Sequence, residues 1–234
     1  MVKALFFDLF FTLINPEYSA DNEYDILNIT QSEWEKYAEE DSLYEERALG
    51  IIKTEQAIIE NLTAKTPFSL TEVQKQEILI RRENRMKNAM RKIDEEILET
   101  LNKIKNKGIY MGLISNADII DCKYWKDSPL SKFFDLAVFS CNVGMMKPDI
   151  KIYQYAMEKM NVMPADSMFV GDGGSNELNG AKLAGMRTVF TEFLEKKPQE
   201  KRTLLLRDAD YRIDRFSQLT ECIKKEQSGF FKQG

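Results

Sequence analysis

Histidine is absent from the 234-residue sequence, and its absence excludes several large classes of enzyme. Without histidine the chain cannot form a Ser-His-Asp or Cys-His catalytic group, an HExxH metalloprotease site or a histidine zinc site. Acid–base and metal chemistry must therefore rest on carboxylates, lysine, tyrosine or backbone groups. Carboxylate and carbonyl oxygens favour a hard cation such as Mg²⁺.

Cysteine is scarce, and long apolar runs are missing. The three cysteines, Cys122, Cys141 and Cys222, are far apart and show no CxxC spacing, which favours a reduced, cytoplasmic compartment. No run reaches the roughly 18 apolar residues that a membrane helix needs, so we expect no membrane contact. The first eight residues are too short, and too soon interrupted by Asp8, for a signal peptide.

The charge of the chain gives no reason to expect a nucleic-acid partner. The formal net charge is −5, with 30% charged and 43% hydrophobic residues, as in ordinary globular proteins. One basic run, residues 81–87, contains three arginines, but an acid interrupts it, and we interpret it as a solvated helix face. We therefore expect a small-molecule substrate. The sequence leaves the oligomeric state open.

The first part of the chain changes character after a short strand. Residues 2–8 form an apolar run that ends in an acid, which predicts a buried strand of a parallel sheet. Residues 15–92 are charged and have helical periodicity, so we expect an all-helical insertion. Within it, Ser69-Leu70-Thr71-Glu72 has a capping-box pattern and predicts the start of a long helix through Arg91.

From Asp94 onward, strands alternate with helices. We expect strands over 109–114, 136–140, 167–170 and 187–190, and helices over 95–107, 149–160 and 214–226. This alternation predicts an α/β fold with a Rossmann-like, doubly wound parallel sheet. The domains would then be an α/β core over 1–14 and 93–234 and a helical insertion over 15–92.

Polar residues follow four of these predicted elements, where ligand sites of open α/β sheets lie. They stand in the segments FFDLFFTL (6–13), ISN (114–116), KPD (147–149) and VGDGGSNELNGAKLAG (170–185). Together they offer a nucleophilic carboxylate, a serine hydroxyl, a lysine and an acidic pair for Mg²⁺. Such a set suits attack on an electrophile that carries negative charge, through a covalent aspartyl intermediate.

These four segments, in this order and spacing, resemble the four motifs of the haloacid dehalogenase (HAD) superfamily over nearly the whole chain. The helical insertion resembles the C1-type cap of subfamily I. The resemblance implies that Asp8 is the nucleophile, that Ser115 binds phosphoryl or carboxylate oxygens, and that Lys147 stabilises the charged intermediate. It also implies that Asp172 acts with them in catalysis.

The resemblance further implies a metal site and substrate contacts. Mg²⁺ would be held by the carboxylates of Asp8, Asp172 and Glu177 and by the backbone carbonyl of Phe10. The substrate would contact Thr12 and Asn116. Glu46-Arg47-Ala48-Leu49-Gly50 resembles the specificity loop of C1 caps, which makes Arg47 a candidate partner for a substrate carboxylate or phosphate.

The first motif departs from the pattern of the HAD phosphatases. These enzymes usually carry a second aspartate two residues after the nucleophile, which protonates the leaving group, and then a glycine. Here the two positions are Phe10 and Phe11. Because loss of a general acid costs about 10²–10⁴ in rate, either the substrate has a good leaving group or another residue supplies the proton.

Three hypotheses therefore stand. Asp172 and Glu177 favour a Mg²⁺-dependent phosphatase of a small phosphorylated metabolite, because Mg²⁺ suits phosphate better than a carbon–halogen bond. A metal-independent 2-haloacid dehalogenase-like hydrolase is the first alternative, since a halide leaves without a proton and those enzymes also lack the second aspartate. The second alternative is a catalytically weak binding or regulatory protein in which Phe10 and Phe11 close the site.

Overall fold

Six parallel strands form a single sheet in the computed structural model, which describes residues 1–229. In chain order they are β1 (Ala4–Phe7), β2 (Tyr110–Ser115), β3 (Leu136–Phe139), β4 (Ser167–Gly171), β5 (Arg187–Thr191) and β6 (Tyr211–Ile213). In space their order is β3-β2-β1-β4-β5-β6. The chain thus builds outward from β1 in one direction and then, from β4, in the other. The switch point between β1 and β4 is where such sheets bind ligands.

The central strand β1 explains the apolar run near the start of the sequence. All four of its side chains are fully buried. Leu5 and Phe7 pack into the core on one face of the sheet, and Ala4 and Phe6 pack into the core on the other. Successive side chains of a strand point to opposite faces, so a strand covered on both faces must be apolar throughout.

Four α-helices lie in the segment 15–92. They are α1 (Gln31–Ala38), α2 (Asp41–Ala48), α3 (Glu55–Ala64) and α4 (Glu72–Arg91). Their buried faces form an apolar cluster that includes Trp34, Ile58 and Ile78, and Ile120 from the loop after β2 packs into the same cluster. The segment 15–92 contains no strand, and all of it is described by the structure. Its extent as a separate domain stays a prediction.

The remaining helices flank the sheet. They are α5 (Glu95–Lys105), α6 (Ser140–Val143), α7 (Ile150–Lys159), α8 (Glu177–Leu183), α9 (Gln199–Leu205) and α10 (Leu219–Gly229). Within residues 1–229, no helix combines the length and the apolar character that crossing a membrane would require. The α/β architecture expected from the sequence is confirmed.

Two local predictions differ from the structure. The capping box of α4 consists of Thr71 and Gln74, which exchange bonds between side chain and backbone N–H in both directions, so Ser69 is not the cap. Strand β6 was not expected. It has three residues at the edge of the sheet, and Ile213 is the buried one, so its alternation is too short to be recognised.

Gly50, after α2, brings the helical segment against α6. Both Gly50 and Gly144 have a positive φ (66° and 65°), but a Cβ on Gly50 would lie 2.1 Å from the carbonyl oxygen of Cys141, whereas one on Gly144 would meet nothing within 4 Å. We expect Gly144→Ala to lower the free energy of unfolding by about 1–2 kcal/mol, from backbone strain alone. Gly50→Ala should lower it by about 1–3 kcal/mol more, because of the close contact. Urea unfolding of both variants measures this, and equal costs would show that the close approach is unimportant.

Candidate active site

The ends of three adjacent strands bring the motif residues together. Asp8 follows β1, Ser115 ends β2 and Asp172 follows β4. Phe7 pairs in register with Leu113 of β2 and with Val170 of β4. Because the strands are parallel, the residues just beyond these pairs lie at the same edge of the sheet.

Lys147 is the centre of this cluster. Its Nζ donates to Oδ1 of Asp8 at 2.5 Å and to Oε2 of Glu177 at 2.6 Å. The hydroxyl of Thr12 donates to the other oxygen of Asp8 at 3.0 Å. Lys147 and Glu177 are each about 1% exposed, so the ion pairs are screened little by water. Both oxygens of the Asp8 carboxylate are therefore held in place.

Asn116 fixes the backbone from which Lys147 projects. Its Nδ2 donates to the carbonyl oxygen of Lys147 at 2.9 Å, and its Oδ1 accepts from the backbone N–H of Lys147 at 2.8 Å. Tyr153, on α7, donates to the carbonyl oxygen of Glu177 at 2.8 Å. These bonds join the ends of β2, α7 and α8. The expected contact of Asn116 with substrate stays a prediction.

Burial and charge act in opposite directions on these groups. Burial raises the pKa of Asp8 above its ordinary value, although the Lys147 ammonium acts to lower it. Burial also raises the pKa of Glu177 well above its ordinary value, with the charge of Asp8 adding to the effect. Burial lowers the pKa of Lys147, but the charges of Asp8 and Glu177 outweigh this and raise it. Lys147 therefore remains a cation beside Asp8.

Three buried carboxylates could hold a metal ion. One oxygen from each of Asp8, Asp172 and Glu177 lies within 4.8 Å of the others. Gly171 permits this, because a Cβ there would lie 2.1 Å from Oε1 of Glu177. A buried set of oxygen donors fits the preference of Mg²⁺. The part played by the carbonyl of Phe10 stays a prediction.

A cavity of about 1130 Å³ lies between these strand ends and the helical segment. Asp8, Lys147 and Asp172 line it at the strand ends, and Tyr44 and Arg47 line it from α2. Thr12 and Ser115 are fully buried. The Ser115 hydroxyl donates to the carbonyl oxygen of Asn116 at 3.5 Å, and its expected contact with substrate stays a prediction.

Phe10 and Phe11 both line the cavity, at the positions where the sequence departs from the pattern of the HAD phosphatases. Phe11 has a φ of 58°, in the left-handed region that favours glycine. The backbone conformation that suits a glycine is thus kept although the residue is phenylalanine. Its ring lies 5.7 Å from the Nζ of Lys197.

Arg47 is buried in an ion cluster that joins α2 and α4 to the loop after β2. Its guanidinium donates to Asp118 at 2.9 Å and to Glu39 at 2.8 Å. Arg82 donates to the same oxygen of Asp118 at 2.9 Å and to Asp121 at 2.8 Å. Arg47 thus lines the cavity with two of its nitrogens already bound to acids. Its expected role in substrate binding stays a prediction.

Sequence reasoning missed several residues of this site. Arg82 is 2% exposed, so the interpretation of 81–87 as a solvated face is wrong for this residue. Asp118, Asp121 and Tyr44 carry no motif that would single them out. Lys197 donates to Oδ2 of Asp172 at 2.6 Å, yet it stands in a charged segment that showed no pattern. Arg82 stands four residues after the buried Ile78, on the same face of α4. This spacing was the one signal that could have marked Arg82 as inward-facing.

Comparisons with known proteins agree with the fold. Residues 6–191 match the profile of the family described as haloacid dehalogenase-like hydrolase. A 2-haloacid dehalogenase from Pseudomonas syringae pv. Tomato has a TM-score of 0.65 at 21% identity, covering 96% of this chain and 99% of that one. The enzyme bt-2542 from Bacteroides thetaiotaomicron, in complex with magnesium and inorganic phosphate, has a TM-score of 0.66 at 18% identity, covering 86% and 99%.

Curated relatives share shorter stretches. A glyceraldehyde 3-phosphate phosphatase from Pyrococcus furiosus is 32% identical over 131 residues, which is 55% of this chain and 53% of that protein. A phosphoserine phosphatase from Thermus thermophilus is 30% identical over 94 residues, 39% of this chain and 37% of that protein. The chain therefore spans about half or less of the length of these relatives.

The buried ion cluster should make a large contribution to stability. We expect Arg82→Met to lower the free energy of unfolding by about 3–5 kcal/mol, because Asp121 would lose its arginine partner inside the protein. Arg81→Met, at the neighbouring and more exposed arginine, should cost no more than about 1 kcal/mol. Urea unfolding of both variants tests this, and similar losses would contradict the assignment of Arg82 to a buried cluster.

Proposed function

Because the chain belongs to the haloacid dehalogenase-like hydrolase family, we propose that it is a Mg²⁺-dependent phosphatase of a small phosphorylated metabolite. The observation that carries the proposal is the position of Asp8. Its carboxylate is held by Lys147 and Thr12 and lies within 4.8 Å of oxygens from Asp172 and Glu177. A fixed carboxylate beside a set of oxygen donors for a hard cation suits phosphoryl transfer better than dehalogenation.

In the first step an oxygen of Asp8 attacks phosphorus, and the bond from phosphorus to the ester oxygen breaks. Lys147 and Thr12 hold the carboxylate in one orientation for this attack. The ester oxygen takes up a proton and leaves as the product alcohol. Water then attacks the aspartyl phosphate, releases inorganic phosphate and restores the Asp8 carboxylate.

Asp8, Asp172, Glu177 and the carbonyl of Phe10 are the groups that would hold Mg²⁺. The ion, when bound, would neutralise charge on the phosphoryl oxygens. Lys147 would add a fixed positive charge at the nucleophile, and Ser115 is the candidate hydroxyl for a phosphoryl oxygen. Asn116 would act by keeping Lys147 in place.

The substrate class is supported by the cavity and by the relatives. A cavity of about 1130 Å³ bounded by Tyr44 and Arg47 has room for a small metabolite. Two of the relatives are named for glyceraldehyde 3-phosphate and phosphoserine, both small phosphate esters. The three free cysteines are consistent with the proposed cytoplasmic location.

Tyr44 is our candidate for the proton donor that Phe10 cannot be. It lines the cavity from α2. Burial raises the pKa of Tyr44, against the opposing effects of Ser175, Lys147 and Asn116, so the hydroxyl keeps its proton. Asn116 and Ser175, which follow the ends of β2 and β4, line the same cavity as Tyr44.

Hydrolysis of p-nitrophenyl phosphate tests the proposed reaction. The phenolate leaves without much help from an acid, so Phe10 should not prevent turnover. We expect phosphate release with Mg²⁺, loss of release with EDTA, and loss of release in Asp8→Asn. Asp41→Asn, at the exposed side of the same cavity, is the matched control and should stay active.

Turnover that survives EDTA or Asp8→Asn would contradict the proposal. If no phosphate is released, 2-haloacids should be tried, because the absence of an acid at Phe10 is also compatible with dehalogenation. Halide release without a metal would then support the dehalogenase hypothesis and contradict the phosphatase. Activity on neither substrate would favour a binding or regulatory protein.

Dependence on the leaving group tests Tyr44. With glyceraldehyde 3-phosphate, whose alkoxide needs a proton, we expect Tyr44→Phe to lower kcat by about 10²-fold or more. With p-nitrophenyl phosphate the same variant should stay close to the unmodified protein. Tyr18→Phe, at another tyrosine of the cavity, should change neither rate. An equal loss on both substrates would mean that Tyr44 acts through structure and not as an acid.

A further inference from the structure

A second lysine, Lys197, forms an ion pair with Asp172, the carboxylate that follows β4. Nζ of Lys197 donates to Oδ2 of Asp172 at 2.6 Å, and the side chains of both residues are about 6% exposed. The same ammonium also pairs with Glu195. Lys197 does not belong to the four motifs, and the reaction proposed above gives it no role.

The position of Lys197 is built into the fold. Its backbone N–H donates to Oε1 of Glu192 at 2.9 Å, and its carbonyl oxygen accepts from Arg202 at 3.1 Å. Glu192 is fully buried and also accepts from Arg202 and Arg212. The loop between β5 and α9 is thus anchored on both sides of Lys197. The lysine is therefore directed at Asp172 by a buried network, unlike a lysine on a solvated surface.

Every carboxylate oxygen of the candidate metal site already accepts a hydrogen bond. The donors are Lys147 and Thr12 for Asp8, Gly174 N–H and Lys197 for Asp172, and Gly173 N–H and Lys147 for Glu177. Each oxygen keeps a second lone pair for a metal, but the ammonium of Lys197, 2.6 Å from Oδ2 of Asp172, competes with a divalent cation for the negative charge of that carboxylate. The ammonium groups of Lys147 and Lys197 also offset negative charge at the site, so a cation is attracted less strongly than to the same carboxylates without them.

Lys197 is the donor that can give way at least cost. Lys147 bridges two buried carboxylates, so its movement would leave both without an ionic partner. Lys197 has a second partner in Glu195, whose side chain is 45% exposed and lines the cavity. An ammonium that leaves Asp172 can therefore keep an ion pair with Glu195 at the open side of the site.

We propose that Lys197 is an exchangeable internal counter-ion of Asp172, which sets the affinity of the site for a divalent cation. Without the metal, the ammonium pairs with both Asp172 and Glu195. When the metal binds, the ammonium leaves Oδ2 of Asp172 and keeps its ion pair with Glu195. The inference rests on the metal site of the proposed function, but it concerns binding and can be tested without turnover.

Titration with Mn²⁺, followed by electron paramagnetic resonance, measures the affinity directly. We expect Lys197→Met to bind Mn²⁺ about tenfold or more tightly than the unmodified protein, because a positive charge that competes for Asp172 is removed. Glu195→Gln should bind Mn²⁺ several-fold more weakly, because Lys197 loses its alternative partner. The two changes therefore have opposite signs, which a general loss of structure would not produce.

Three controls make the result specific. Lys201→Met removes a lysine that lines the same cavity and should leave the affinity nearly unchanged. Asp172→Asn should abolish tight Mn²⁺ binding both in the unmodified protein and in Lys197→Met. Such a loss would show that the measured ion is at this site. In the double variant Lys197→Met with Glu195→Gln, the loss caused by Glu195→Gln should largely disappear, since its effect passes through Lys197.

Unchanged or weaker Mn²⁺ binding in Lys197→Met would overturn the proposal, and so would a full effect of Glu195→Gln in the double variant. Circular dichroism checks folding, and if Lys197→Met does not fold, Glu195→Gln at its exposed position decides alone. Tighter binding by Lys197→Met in a protein without phosphatase activity would uphold the counter-ion and contradict the proposed function. If neither the unmodified protein nor any variant binds Mn²⁺, the proposed role of Lys197 as a counter-ion is overturned.

Discussion

The ion pairs of Lys147 are the interaction on which the rest of the site depends. Asp8 and Glu177 are both buried, and two carboxylates this close would repel each other without a cation between them. Lys147 donates to both, at 2.5 and 2.6 Å. Because burying a charge is unfavourable unless it is paired, this one ammonium stabilises the start of α8 against the end of β1. Asn116 then holds the backbone of Lys147.

The helical segment is tied to the sheet by the same kind of interaction. Arg47 and Arg82 share one oxygen of Asp118, and Asp121 adds a second acid. These charges lie beside the cavity, so the position of α2, which lines the cavity, is set relative to Asp8 largely by buried ion pairs. This differs from the interior of the helical segment itself, where apolar packing around Trp34 and Ile78 dominates.

Much of the fold could be predicted from the sequence. Five strands were expected because each is a short apolar run next to a helix, and β1 is fully buried on both faces. The site at the strand ends could be expected for the same reason, since parallel strands place the residues that follow them at one edge. Asp8, Lys147, Asp172 and Glu177 are indeed neighbours. Strand β6 has three residues, too few for its alternation to be visible.

The sequence by itself determined the class of fold, the order of its elements and the motif residues at the ends of strands, because these depend on local periodicity and on what directly follows a strand. Tertiary structure alone decided the ion pairs. Arg47 and Asp118 are 71 residues apart, Arg82 and Asp118 are 36 apart, and Lys197 and Asp172 are 25 apart. A charged residue reads the same in a sequence whether it faces water or a buried partner, and only the packing of distant segments makes that choice.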